Sequence, residues 1–225
     1  MNGTPSRWER LAPLAGLVFA VALAVVFAVS NNSPDTDAST AKWASYYRDH
    51  RSRELAVSIV VAVAVVFFVW FAGALRARLR AVEGSPGRLS NTAFGGAILY
   101  ALGGLLIAAF NFAAADSVKH VTPQVTQTIG ILDSDVFFPL AVGSGILLLA
   151  TGVLIVRTRT LPVWLGWVAV VLGVASVTPI GFFAFLAGLI WIAVVSVLSY
   201  LRPEARAIDA GPPPAAPPPP VAPAA

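Results

Sequence analysis

The sequence predicts an all-α membrane protein, a bundle of six transmembrane helices with both termini in the cytoplasm. Two observations predict this class. Of the 225 residues, 57% are hydrophobic and 12% are charged, with a mean hydropathy of +0.79, whereas soluble domains carry about 25% charged residues. The apolar residues are also grouped in long runs that contain no ionisable side chain. A surface with so little polarity faces lipid rather than water.

Six apolar runs supply the predicted spans, at residues 11–29, 55–75, 93–115, 136–156, 161–177 and 180–201. Most have the roughly 20 residues with which a helix crosses about 30 Å of hydrocarbon. The runs are apolar on every face, which excludes a membrane barrel of short alternating strands. The predicted domains are therefore a cytoplasmic N-terminus over 1–10, a transmembrane domain over 11–202 and a tail over 203–225.

Two of these assignments have alternatives. The last two runs are divided at Pro179, which disfavours helix around it; a single helix over 161–201 would be about 60 Å long, twice the hydrocarbon thickness. We expect a helical hairpin there, the alternative being one kinked span with an interfacial segment. The first run follows Arg7 and Arg10 and ends in small residues, so it is either a retained span or a cleaved signal peptide.

Positive charge predicts the orientation. Ten of the 15 Lys and Arg residues lie before the first run or after the second, fourth and sixth runs: Arg7, Arg10, Arg76, Arg78, Arg80, Arg88, Arg157, Arg159, Arg202 and Arg206. The other five lie in the remaining loops. Because loops rich in Lys and Arg stay in the cytoplasm, both termini are predicted to be cytoplasmic, in a multi-pass protein of the plasma membrane.

The segment outside the membrane and the C-terminal tail are interpreted from composition. Residues 38–53 lack helix breakers and place Trp43, Tyr46, Tyr47 and His50 on one helical face. We expect a helix on the outer membrane surface, with these aromatics as interfacial anchors or, alternatively, as a ligand-binding face. Residues 116–135 are predicted to be an external loop. The Pro/Ala-rich tail predicts a disordered chain, either solvated or bound by a polyproline-reading partner.

Few residues in the sequence are candidates for chemistry. There is no cysteine, and no phosphate loop, hydrolase or zinc-protease motif, so no catalytic or cofactor-binding residue is predicted. Asn111 and Ser144 are the polar side chains that mark an intramembrane site if one exists. His50, His120 and Asp116 lie in predicted external segments and form an external metal site only if their loops meet; otherwise they are exposed residues without a ligand.

Small residues recur at helical spacing in several runs. The pairs are Gly96 and Gly103, Gly166 and Gly173, Gly181 and Gly188, Ala141 and Gly145, and Ala184 and Gly188. Such positions let helices approach closely in lipid, where packing drives association. The pattern indicates either packing within one bundle or a homo-oligomer formed through these faces.

Three short motifs carry a resemblance to a known group. The run YRDHRSR at 47–53 precedes an apolar span that ends in LRARLR at 75–80, and RTLPVWLGW stands at 159–167. Together they resemble uncharacterised multi-pass membrane proteins of high-GC bacteria, in the class of the domain of unknown function 4386. The resemblance covers residues 35–202 in architecture. It implies a six-span bundle, no known activity and no functional residues to transfer.

Three functions are compatible with these features. Because the spans lack charge and no catalytic grouping exists, the first is a non-enzymatic structural or regulatory membrane protein with lipid or copies of itself as partners and no nucleic acid. The second is a transporter or permease of a small molecule. The third is a membrane enzyme or metal protein that uses the external His and Asp residues.

Reporter fusions test the predicted orientation. Because of the charge distribution, reporters placed after Arg80 and after Arg202 are expected to read as cytoplasmic, and one placed after Lys42 as external. Phosphatase and fluorescent-protein fusions at the same sites provide matched readings. A cytoplasmic reading from the Lys42 fusion would show that the orientation is the reverse of the predicted one.

Overall fold

The computed structural model describes residues 11–30 and 33–201, in which every regular element is a helix. A short 3-10 turn at Ala12–Leu14 precedes eight α-helices. These are α1 (Ala15–Val29), α2 (Thr40–Asp49), α3 (Arg51–Glu83), α4 (Arg88–Ser117), α5 (Pro123–Asp135), α6 (Phe137–Thr158), α7 (Val163–Ala175) and α8 (Gly181–Leu201). The predicted cytoplasmic N-terminus and the Pro/Ala-rich tail lie outside the described residues.

Five helical stretches are long and apolar enough to cross a membrane: Ala12–Val29, Arg51–Glu83, Arg88–Ser117, Pro123–Thr158 and Gly181–Leu201. This confirms an all-helical chain with several membrane-spanning candidates. The fifth predicted run, 161–177, differs. It forms α7, whose 13 residues rise only about 20 Å. The helix is short because Pro162 precedes its start and a turn at 176–180, which contains Pro179, follows its end.

Antiparallel helices α3 and α4 are joined at both ends of their apolar stretch. At one end the Arg76 guanidinium donates to Asn91 Oδ1 at 2.9 and 3.1 Å. At the other end Asn111 Nδ2 donates to Glu54 Oε2 at 3.2 Å. The two polar contacts are about 30 Å apart along the helices, which matches the hydrocarbon thickness. We call them the Arg76 end and the Glu54 end of the bundle.

Glycines bring the backbones of α4, α6 and α7 into contact. A Cβ added to Gly143 on α6 would lie 2.2 Å from the Tyr100 backbone nitrogen of α4. On the other side of α6, a Cβ on Gly152 would lie 2.6 Å from the Gly166 carbonyl oxygen of α7. Close approach of this kind explains the glycine pairs 96/103 and 166/173 as contacts within one bundle. Gly188 differs, since an added Cβ would meet only Leu148, at 3.8 Å.

Aromatic rings fill the middle of the bundle. Phe68 of α3 lies 4.8 Å, centroid to centroid, from both Phe19 of α1 and Tyr100 of α4. Phe185 of α8 stacks on Tyr100 at 6.1 Å. We call these four residues the aromatic core. Phe68 lies between Glu54 and Arg76 along α3, so these rings occupy the centre of the apolar layer.

Helices α2 and α5 form a cap over the Glu54 end. The predicted surface helix exists as α2, but its aromatics are not interfacial anchors: Trp43 and Tyr47 are each 2% exposed. They are buried because residues 116–135, predicted to be a loop, contain α5, which packs against α2. Trp43 lies on Gly130 of α5, where a Cβ would come within 2.4 Å of the indole ring.

Alanine substitution tests the close helix contact. Gly143→Ala is expected to destabilise the protein by about 1–3 kcal/mol, because the new methyl group meets backbone atoms that cannot move away independently. Thermal unfolding in detergent measures the effect.

Gly95→Ala is the matched control, because nothing lies within 4 Å of a Cβ at this position on α4. It is expected to change stability by less than about 1 kcal/mol. Equal melting temperatures for the two variants would contradict the backbone contact.

Candidate functional site

A buried carboxylate lies at the junction of the cap and the bundle. Helix α2 ends at Asp49 and α3 begins at Arg51, so the chain turns sharply at His50. Glu54 follows in the first turn of α3 and is only 3% exposed. A negative charge in the first turn is favoured by the helix dipole, but a buried charge also needs direct partners.

Both oxygens of the Glu54 carboxylate have hydrogen-bond donors. Oε1 accepts from Tyr46 Oη at 2.8 Å and from Arg53 Nη2 and Nε at 2.9 and 3.1 Å. Oε2 accepts from Asn111 Nδ2 at 3.2 Å. Arg53 Nη2 also donates to Tyr46 Oη at 2.9 Å. The arginine therefore compensates the buried negative charge, and the hydrogen bonds satisfy the remaining lone pairs.

Asn111 connects the cap to both long helices. Its amide nitrogen lies within hydrogen-bonding distance of Ser58 Oγ, at 3.1 Å, as well as of Glu54. Its amide oxygen accepts from Tyr47 Oη of α2 at 3.2 Å. One side chain on α4 thus holds α2 and α3 together. We define the Glu54 cluster as Tyr46, Tyr47, Arg53, Glu54, Ser58 and Asn111.

Both tyrosines of the cluster are held as neutral hydrogen-bond donors. Burial raises the pKa of Tyr47, and the negative charges of Asp133 and Glu54 raise it further. Burial is also the largest cause of the raised pKa of Tyr46. Because a raised pKa favours the protonated phenol, each hydroxyl keeps the proton that it donates to the cluster.

A second carboxylate lies beside the cluster. Asp133 is near the end of α5, and its negative charge acts on Tyr47. The Asp133 Oδ1 atom is buried, with no hydrogen-bond partner among the described residues. Buried polar atoms without a partner are rare, which makes Asp133 the least satisfied acidic group of the cap.

The residues predicted from sequence are not brought together. Asn111 belongs to the Glu54 cluster, whereas Ser144 Oγ lies 3.3 Å from Ser176 Oγ at the contact of α6 with α7. Two of the candidate metal ligands have other partners. Asp116 forms an ion pair with Arg51 at 2.7 Å, and His50 Nδ1 lies 3.0 Å from the Tyr46 carbonyl oxygen. Residues 11–30 and 33–201 hold no group of three His, Asp or Glu side chains suited to a metal ion.

Glu54 is the central residue that sequence reasoning missed. Hydropathy starts the second span at Leu55 and so excludes the preceding residue. Helical periodicity is the signal that could have found it. Glu54 and Ser58 are one turn apart, and both lie on the buried side of α3, which continues with Val65 and Phe68. A charged residue on the buried face of an otherwise apolar helix predicts a partnered site.

The fold and the cluster together define an all-helical chain with five helices suited to cross a membrane and a buried polar cluster at one end. No family model matches the chain, and no curated protein or solved structure is significantly similar to it. Its function is therefore inferred from its own geometry.

Removal of Asn111 tests the cluster. Asn111→Ala takes one donor from the Glu54 carboxylate and the acceptor from Tyr47, both in buried surroundings, so a loss of about 1–3 kcal/mol of stability is expected. The midpoint of thermal unfolding in detergent gives the loss.

Thr128→Ala is the control, because Thr128 Oγ1 bonds only the Gln124 carbonyl oxygen on an exposed turn of α5. Its cost is expected to stay within about 0.5 kcal/mol. If both variants unfold at the same temperature, the cluster does not hold the cap in place.

Proposed function

We propose that the protein is a non-enzymatic membrane protein, structural or regulatory, that crosses the plasma membrane six times with both termini in the cytoplasm. It acts through lipid or through copies of itself and needs no cofactor. The resemblance to the domain of unknown function 4386 class stays a prediction; it implies a six-span bundle and no known activity.

The aromatic core is the observation that carries the proposal. Transport pathways are usually marked by polar or ionisable groups that line a route through the middle of the membrane. In this chain four rings from four helices occupy that position, with neighbouring centroids 4.8–6.1 Å apart. Glycine-mediated contacts between α4, α6 and α7 close the bundle on one side of these rings. A close-packed centre favours a scaffold over a permease.

The hairpin of α7 and α8 supports six crossings although α7 is short. Its turn carries exposed apolar side chains, including Val177 and Ile180. Two backbone amides at the turn have partners within it: the Thr178 amide donates to the Ala175 carbonyl, and the Gly181 amide donates to the Thr178 carbonyl. Because lipid-exposed irregular backbone is not stable within the hydrocarbon, the turn would lie at the outer boundary of the hydrocarbon layer, and the bilayer would thin locally to match the short α7. The two helices then complete the fifth and sixth crossings.

Exposed apolar side chains on α7 and α8 support lipid or a second copy as the partner. Trp164 and Trp167, near the start of α7, are both more than half exposed, and so are Phe183 and Ile190 of α8. Tryptophan is enriched at the boundary of a membrane. These side chains would lie against acyl chains in a monomer and against each other in a homo-oligomer.

Transport is the second candidate function, and the cap is the observation that favours it. Glu54 is buried, and Asp133, which has one buried carboxylate oxygen, lies near it at the same end of the bundle. Carboxylates within the membrane mark ion or proton pathways in many transporters, and this pair lies where such a pathway would open at the Glu54 end. The aromatic core would then have to open for a substrate to continue beyond Asn111.

Flux through reconstituted protein separates the two candidates. Proteoliposomes are expected to pass protons and small solutes no faster than protein-free liposomes, as followed by an internal pH dye and by solute-induced swelling. Asn111→Ala and Ser144→Ala are expected to leave this baseline unchanged. A saturable flux in the wild type that either substitution lowers would support transport and contradict the scaffold.

A further inference from the structure

A surface groove between α1 and α3 adjoins the Glu54 cluster and shares Arg53 with it. The groove has a volume of about 180 Å³ and is lined by aliphatic side chains, with one charged residue, Arg53. The lining residues are Val25, Val26, Val29, Arg53, Ala56, Val57 and Val60. An apolar groove on the surface of two membrane-spanning helices opens to lipid, not to water.

The length and position of the groove fit part of one leaflet. From Arg53 to Val60 it follows α3 for about 10 Å, and half of the hydrocarbon layer is about 15 Å thick. Arg53 lies at the Glu54 end, where the apolar stretch of the bundle stops. The groove thus begins beside a positive charge at the membrane boundary and continues inward along valines, in the order in which a phospholipid presents its phosphate and its acyl chain.

Arg53 is held ready for a second anion. Its Nε and Nη2 atoms are occupied by Glu54 and Tyr46, and its guanidinium lies 5.6 Å from the centroid of the Tyr46 ring. The two N–H groups of Nη1 have no hydrogen-bond partner among the described residues. Because a guanidinium has five donors in a planar fork, it can hold a carboxylate and a phosphate together.

We propose that this groove is a binding site for one phospholipid, whose phosphate accepts hydrogen bonds from Arg53 and whose acyl chain fills the space between α1 and α3. The site deepens the lipid partnership proposed above, and it rests on that membrane function. The lipid stabilises the α1–α3 contact next to the cap. Because Arg53 contacts both the lipid phosphate and Glu54, the lipid composition of this leaflet acts directly on the Glu54 cluster.

Lipid retention tests the acyl-chain half of the site. Native mass spectrometry counts the phosphatidylglycerol molecules that remain on the purified full-length protein. Val60→Phe fills the groove and is expected to weaken retention about five- to tenfold, roughly the effect of losing one favourable contact. Val66→Phe is the matched control, since Val66 is an exposed valine of α3 outside the groove. Equal retention by both variants would overturn the proposal.

The test of the contact between Arg53 and the phosphate needs variants that do not leave the Glu54 carboxylate unpaired. Glu54→Gln retains Arg53 and is expected to bind phosphatidylglycerol within about twofold of the wild type. The double variant Arg53→Gln with Glu54→Gln removes the arginine without stranding a charge and should bind about five- to tenfold more weakly. Equal binding by the two variants would remove Arg53 from the site.

Two further ligands identify the lipid's chemistry. Diacylglycerol, which lacks the phosphate, is expected to be retained weakly, to the same extent by Glu54→Gln and by the double variant, and least by Val60→Phe, which fills the groove. Millimolar inorganic phosphate is expected not to displace phosphatidylglycerol, because it makes no contact with the groove. Strong diacylglycerol retention or displacement by phosphate would contradict the combined site. The flux measurement is independent of these results, so failure of the lipid site and failure of the scaffold function are distinguishable.

Discussion

The contact of α6 with its two neighbours is the constraint on which most of this fold depends. At Gly143 and Gly152 the helix approaches α4 and α7 so closely that a single methyl group would meet backbone atoms. Hydrophobic burial cannot drive helices together in lipid, so this close packing supplies much of the association energy. Helix α4 in turn positions α3 through the polar contacts at its two ends, and α3 positions α1. The arrangement of the aromatic core follows from these contacts.

The Glu54 cluster also constrains the positions of helices, but through hydrogen bonds and charge. Its carboxylate accepts hydrogen bonds from α2, α3 and α4, so the geometry of three helices is fixed by one buried charge. Such an arrangement does not by itself stabilise a protein more than an apolar packing would. It does select one orientation of the cap, because any other would take the Tyr46 donor from Glu54 and the Tyr47 donor from Asn111. The phospholipid proposed for the groove would contact Arg53 and so act on the orientation of the cap.

The all-helical class and the positions of most long helices could be predicted from the sequence, because hydropathy directly reports which segments lipid can surround. The cap could not. Trp43, Tyr46 and Tyr47 were correctly placed on one face, but the same face suits a membrane boundary or a protein neighbour. The neighbour, α5, was missed because Thr122 and Pro123 were interpreted as part of a loop, although a proline at the first helical position also marks a helix start. Glu54 was missed because span boundaries are drawn where charge begins. The role of Asn111 depends on the α3–α4 register, which composition does not encode.

The order of the cluster along the chain has a consequence for biogenesis. Tyr46 and Arg53 precede Glu54, so both leave the ribosome before it, and the carboxylate can be neutralised as soon as α3 begins to form. Asn111 follows more than 50 residues later and completes the cluster only when α4 is inserted. An acidic residue at the edge of an apolar segment would otherwise hinder partitioning into the bilayer. Early local pairing therefore lowers the cost of inserting α3 before the rest of the bundle exists.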